Sequence, residues 1–189
     1  MTTPNPYITP NIGETAYNNF RQFSVLSYNC IKYLMNNNEL VWKLLRWNDS
    51  DAWEKGDLTQ KEKAAMIYAG QQDTSQYRVF MDSKQPDVLM TEVALLRIMP
   101  YYAVGMNRTV GYIEVSMEIF VHYKINHMTN YKTRMDSMAE ELLATFNGSD
   151  VGGLGLLSFD KMADQSSRLF MSGQIPFGGK QLIFSTYSA

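Results

Sequence analysis

Ile113-Glu-Val-Ser-Met-Glu-Ile-Phe-Val-His-Tyr-Lys-Ile125 decides the fold. Ile113, Val115, Met117, Ile119, Val121, Tyr123 and Ile125 alternate with Glu114, Ser116, Glu118, Phe120, His122 and Lys124. A period of two is that of a β-strand, whose successive side chains point to opposite faces. The pattern predicts one buried face and one polar face. At about 3.3 Å per residue the strand would run roughly 40 Å, longer than most, so part of it is expected to project from the globular body.

Immediately before it, residues 93–104 are apolar and rich in branched and aromatic side chains, and Gly105-Met-Asn-Arg-Thr109 supplies turn residues between the two runs. The pair reads as a long antiparallel hairpin with Met106, Asn107 and Arg108 at its tip. Beyond it the period changes: Tyr131, Met135, Met138, Leu142 and Phe146 share one helical face, and Asn147-Gly148 is placed to end that helix. Residues 156–161, 168–174 and 180–187 read as shorter strands, the last two joined by Ile175-Pro-Phe-Gly-Gly179.

Towards the N-terminus the pattern is helical. Phe20, Phe23, Leu26, Cys30, Tyr33 and Leu34 recur every three or four residues, and Asn36-Asn-Asn38 closes the stripe. Leu40, Val41, Leu44 and Leu45 predict a second short helix, and Thr59-Gln-Lys-Glu62 has the spacing of a capping box opening a third that runs to Gly70. Residues 2–10 carry three prolines and read as an extended arm that would lie on a neighbouring subunit. The chain thus divides into an arm at 1–13, a helical segment at 14–70 and a core at 71–189. Helices and strands are segregated instead of alternating, which predicts an α+β protein: an N-terminal helical segment, then an antiparallel, long-hairpin sheet with a helix packed across it.

Composition narrows the function. With 189 residues, 45% of them hydrophobic, the chain can bury a substantial core. Seventeen basic against nineteen acidic side chains give a net charge of −2, which argues against a strongly basic nucleic-acid groove. A single cysteine makes no intramolecular disulfide, and two histidines do not specify a zinc site. The first ten residues lack the basic start and apolar run of a signal peptide, and no stretch approaches a membrane span, so assembly in a cytoplasm without a membrane partner is expected.

No constellation in the sequence supplies a nucleophile, a base and oxyanion donors together, and the expectation is that the protein is not an enzyme and holds no cofactor or metal. Gly152-Gly-Leu-Gly155 lacks the Lys-Ser/Thr ending and the following helix of a phosphate loop and reads as a bulged start to a strand. Cys30 lies on an apolar helical stripe, where a small buried hydrophobe is the plain reading. Glu140 and Glu141 are adjacent on a helix and diverge. His122, with Glu118 on its strand face and His127 beyond the strand, makes no compact ligand set. Trp42, Trp47 and Trp53 fall within one short helical region that cannot easily bury three indoles, so a partner-facing aromatic patch competes with core packing. Thirteen methionines and twelve tyrosines add a weak signal for an adaptable interaction surface.

The run from Asn107-Arg-Thr-Val110 through the long strand to His122-Tyr-Lys124, with Phe146-Asn-Gly148, Gly153-Leu-Gly155 and Phe177-Gly-Gly179, resembles structural proteins from the neck of tailed bacteriophages. It is most similar to the tail-terminator and head-to-tail joining group, over residues 77–189, in element order and turn residues. The resemblance implies a virion protein at the head-to-tail junction: a subunit of a ring, commonly hexameric, that ends the tail tube and docks to the head connector. Its partners would be its own copies, other neck, portal or tail-tube proteins, and double-stranded DNA passing without sequence preference. A near-neutral charge suits such a channel, because a basic lumen would hold the genome. Arg108 would meet a carboxylate of the adjacent subunit. Two alternatives stand beside it: a portal-bound adaptor or collar protein, which the helical front favours, and a small enzyme assembled from Glu114, Glu118, His122 and Arg134.

Overall fold

In a computed structural model, residues 25–70, 76–81, 92–105, 111–153, 155–164 and 177–188 are described. They form a mixed α+β fold of four α-helices and five strands. The hairpin is its spine. Strand β2 (Ala94–Gly105) runs antiparallel to β3 (Gly111–His122), from Ala94 opposite Val121 to Gly105 opposite Gly111. Strand β5 (Phe177–Ser188) pairs with the other edge of β3 along its whole length, and β4 (Ser158–Asp164) lies outside β5. The short β1 (Val79–Phe80) lies beside β2, giving the order β1-β2-β3-β5-β4. The pairing of β1 with β2 is parallel, the one departure from the expected antiparallel sheet.

The helices cover one face. Helix α1 (Leu26–Asn37) and α2 (Leu40–Arg46) pack on β2, while α4 (Arg134–Phe146) crosses β3, β5 and β4. Leu26, Cys30, Ile31 and Leu34 of α1, and Met138, Leu142 and Phe146 of α4, meet Leu96, Ile98, Val115, Met117, Ile119, Leu182 and Phe184 from the sheet in one hydrophobic core. Strand alternation supplies the sheet side and helical periodicity the other, and burial of so many large side chains is the dominant stabilising term. The third helix, α3 (Gln60–Ala65), opens on the expected capping box, with Thr59 accepting from Glu62 N and Glu62 accepting from Thr59 N at 2.8 Å. It ends well before Gly70, because the chain becomes extended and Ile67 bridges to Val79.

Five further expectations change. Strand β5 begins at Phe177, so Phe177, Gly178 and Gly179, expected in the turn before it, are its first paired residues. Strand β3 stops at His122 and a 3-10 turn, Tyr123–Ile125, follows. Helix α4 starts at Arg134, and Tyr131 is off its face, fully exposed with a positive φ of 61°. Strand β4 begins later than residue 156 and runs to Asp164. The polar side of β3 is not a solvated face either: Ser116, Glu118 and His122 are all buried. The reason is lateral. Partners on both edges carry their own side chains over that face: Ser116 and Glu118 hydrogen-bond to them, while His122 packs against Phe177 of β5 and accepts from the Lys124 backbone. The arm at 1–13, the expected strand at 168–174 and the hairpin tip at 106–109 lie outside the described residues.

Candidate functional site

The scattered residues of the enzyme reading do not converge. Even-numbered side chains of β3 face away from the helices, whereas Arg134 lies on the helical side. Glu118 is held by Arg97, which donates through Nε at 2.6 Å and also through a terminal guanidinium nitrogen, and Gln181 donates to it at 3.3 Å. Glu114 accepts from the Tyr112 hydroxyl at 2.7 Å. His122 accepts at Nδ1 from Lys124 N at 3.2 Å, stacks on Tyr123 and meets the edge of Phe177. Burial pushes its pKa down, so the neutral imidazole is favoured. Each of these groups is occupied with its own structural neighbours, in separate sets.

The other candidates behave in the same way. Cys30 is fully buried and its thiol is pushed up to about 12, which suits a core residue and opposes a nucleophile. Gly152 has a φ of 76° and its Cα faces the Asn29 side chain so closely that an added Cβ would sit 2.4 Å from Nδ2. An added Cβ at Gly155 would meet the Tyr187 carbonyl at 2.8 Å. Those glycines let a loop pass between α1 and β5, so close packing accounts for them without an anion. Among the described residues no group of three His, Cys, Asp or Glu side chains is placed to hold a metal. Glu140 pairs with Lys132 at 2.8 Å and Glu141 accepts from Asn38 at 2.7 Å, so the two glutamates do diverge.

The tryptophans separate. Trp42 is completely buried in the core, with its indole N–H donating to the Leu34 carbonyl at 3.2 Å, and so is removed from the partner-facing set. It sits on the inner side of α2 with Val41, Leu44 and Leu45, where a bulky apolar group fills the space beneath α1. Trp47 and Trp53 are each 37% exposed and remain available. The Arg46 guanidinium lies 5.6 Å from the Trp47 ring centre, and Trp53 donates to Thr129 Oγ1 at 3.3 Å. Met106, Asn107 and Arg108 lie outside the described residues.

A surface the sequence did not single out lies at the distal end of the hairpin. Up to Ile98 strand β2 is largely buried; past Pro100 none of its residues is buried, and Tyr101, Tyr102 and Gly105 are exposed. Pro100 is tolerated there because β1 pairs only with Leu96 and Arg97, so no described neighbour asks for its missing N–H. A bulge follows between Pro100 and Tyr102. Tyr101, Tyr102 and Tyr187 are 52%, 50% and 63% exposed. Tyr112 lies between two of them, its ring centre 6.4 Å from that of Tyr102 and 5.2 Å from that of Tyr187. Three strands thus place a tyrosine ladder where the sheet leaves the helices. The only signal for it in the sequence was the abundance of tyrosine, since cross-strand neighbours are far apart in the chain.

The family model YomW matches residues 37–186, which takes in α2, the sheet and α4. The name is of a phage type and supports a phage-related protein, without reference to a neck in particular. No curated protein matches the chain.

Proposed function

From the premise that the chain belongs to the YomW family, we propose that it is a structural subunit of a phage particle, placed in the neck, where it forms a ring that ends the tail and joins it to the head connector. The work is assembly, and catalysis plays no part. The observation that carries this reading is the tyrosine ladder on the outer end of the hairpin: an aromatic surface borne on rigid paired strands is what a subunit contact requires. A hexameric ring is the expected assembly, with portal or tail-tube proteins as neighbours, which requires a heterologous contact whose rotation closes after six copies.

The helical segment supports a terminator over a portal adaptor. The described part of its apolar stripe, from Leu26 onward, and Trp42 are already used inside the chain's own core, which leaves less to offer a portal. Light scattering and negative-stain imaging of the purified protein test the proposal. Six-fold rings alone, or assembly on added tail tubes, is the expected result, and a chain that stays monomeric and ignores tail tubes overturns it. Deleting residues 105–109 is expected to abolish assembly while leaving the circular dichroism of the sheet intact; rings formed at the wild-type yield would count against the hairpin's role.

A further inference from the structure

We infer that a cleft between α2 and α4 is a binding site for a cationic side chain of a partner protein, an arginine in preference to a lysine. The cleft has a volume of about 340 Å³ and Trp53 stands on its wall. It is independent of the tyrosine ladder and of the ring.

A buried hydroxyl points to a missing ligand. Ser137 lines the cleft and is only 5% exposed, yet its Oγ is the one fully buried side-chain polar atom among the described residues without a hydrogen-bond partner. Such atoms are rare in native interiors, and a ligand that supplies a donor would satisfy it. The charge left open in the cleft is negative. Lys43 is paired with Asp57 at 2.6 Å and Lys132 with Glu140 at 2.8 Å, so both ammonium groups of the lining are compensated. Glu39 is paired with Lys63 at 2.6 Å. Glu141 accepts from the neutral amide of Asn38 at 2.7 Å and makes no ion pair with a described residue; Lys132, the cation that feels its charge, is bonded to Glu140 instead. An anion would find its cations already engaged, whereas a cation would find Glu141.

Trp53 selects the kind of cation. Its indole is fixed by the bond to Thr129 Oγ1, and Thr129 in turn donates its backbone N–H to the Ser50 carbonyl at 3.0 Å. A partly exposed, immobilised indole favours a weakly hydrated planar guanidinium, which can lie on the ring and still donate in several directions. An arginine entering here would lay its aliphatic stem along Leu40 and Leu44 and direct N–H groups to Glu141 and Ser137.

The test uses a capped glycyl-arginyl-glycine tripeptide as the probe and its glutamyl counterpart as the control, titrated into the full chain and followed by amide and indole NMR shifts. Saturable shifts at the Trp53 indole and the Ser137 and Glu141 amides are expected with the arginyl peptide alone. Glu141→Gln keeps an acceptor for Asn38 but removes the charge, and should weaken binding about tenfold. Ser137→Ala should weaken it less, with the spectrum otherwise unchanged. No saturable shift at these three groups, an equal response to the glutamyl peptide, or unaltered binding by Glu141→Gln would overturn the site.

Discussion

Arg134 shows how much one side chain can organise. It is fully buried, and its guanidinium donates to the carbonyls of Ile125 at 2.9 Å, Leu44 at 2.7 Å, Trp47 at 2.6 Å and Asp49 at 2.8 Å. Two of those carbonyls belong to the last turn and cap of α2, the negative end of that helix, so the cation substitutes for a missing C-terminal cap. Burial lowers its pKa to about 10, with Asp49 acting against the shift, and it stays charged at neutral pH. Arg134→Met should cost about 3–5 kcal/mol in urea unfolding, because it leaves several buried carbonyls without donors. Arg134→Lys should recover only part, since an ammonium cannot span the same set. A sequence reader had one clue to this role: a cation in the first turn of α4 opposes that helix's own dipole, which signals an engagement elsewhere. The Arg97 and Glu118 pair offered none, because its partners meet only through the register of two strands.

Among the elements, α4 has a start that periodicity alone placed too early. The apolar spacing extends back to Tyr131, but Thr133 is the N-cap, accepting from Asp136 N at 3.0 Å, and Asp136 is held in turn by Lys180 from β5. Thr133→Ala is expected to lower stability by about 1 kcal/mol, read as a fall in melting temperature with the helical signal retained. The capping box at Thr59 was legible because both of its members are local in the sequence, as was the hairpin, whose two runs flank a turn. What depended on tertiary neighbours was hidden. Trp42 gave no sign of which way it faced on α2, and the two residues of β1 are too few for a period. On β3 the alternation was correct as to direction, yet polarity did not report exposure: Ser116, Glu118 and His122 are buried because β2 and β5 bring partners to them.

At the scale of the whole molecule, acidity should loosen the fold in two stages. His122 has a depressed pKa, chiefly from burial, with Glu92 opposing and Lys124 assisting. Its neutral form is therefore favoured in the folded chain, and stability is present above the unfolded value of about 6.5 and falls as pH drops through the folded one. Asp136 is depressed by Lys180 and Thr133, so its contribution is present above about pH 4 and is lost only in stronger acid. A urea midpoint measured against pH should thus decline first below about 6.5, and His122→Asn should remove the His122 contribution to that first decline while sparing the second. The strand order carries a kinetic corollary. β3 joins β2 through a short connection, but its other edge waits for β5, where Ser116 and Gln181 meet across 65 positions of chain. Because β5 also lies between β3 and β4, the fourth strand has no ladder to join until the fifth arrives. The hairpin can therefore form early at small loop-closure cost, and the rate of folding is set by the return of β5, the contact of greatest sequence separation in the centre of the sheet.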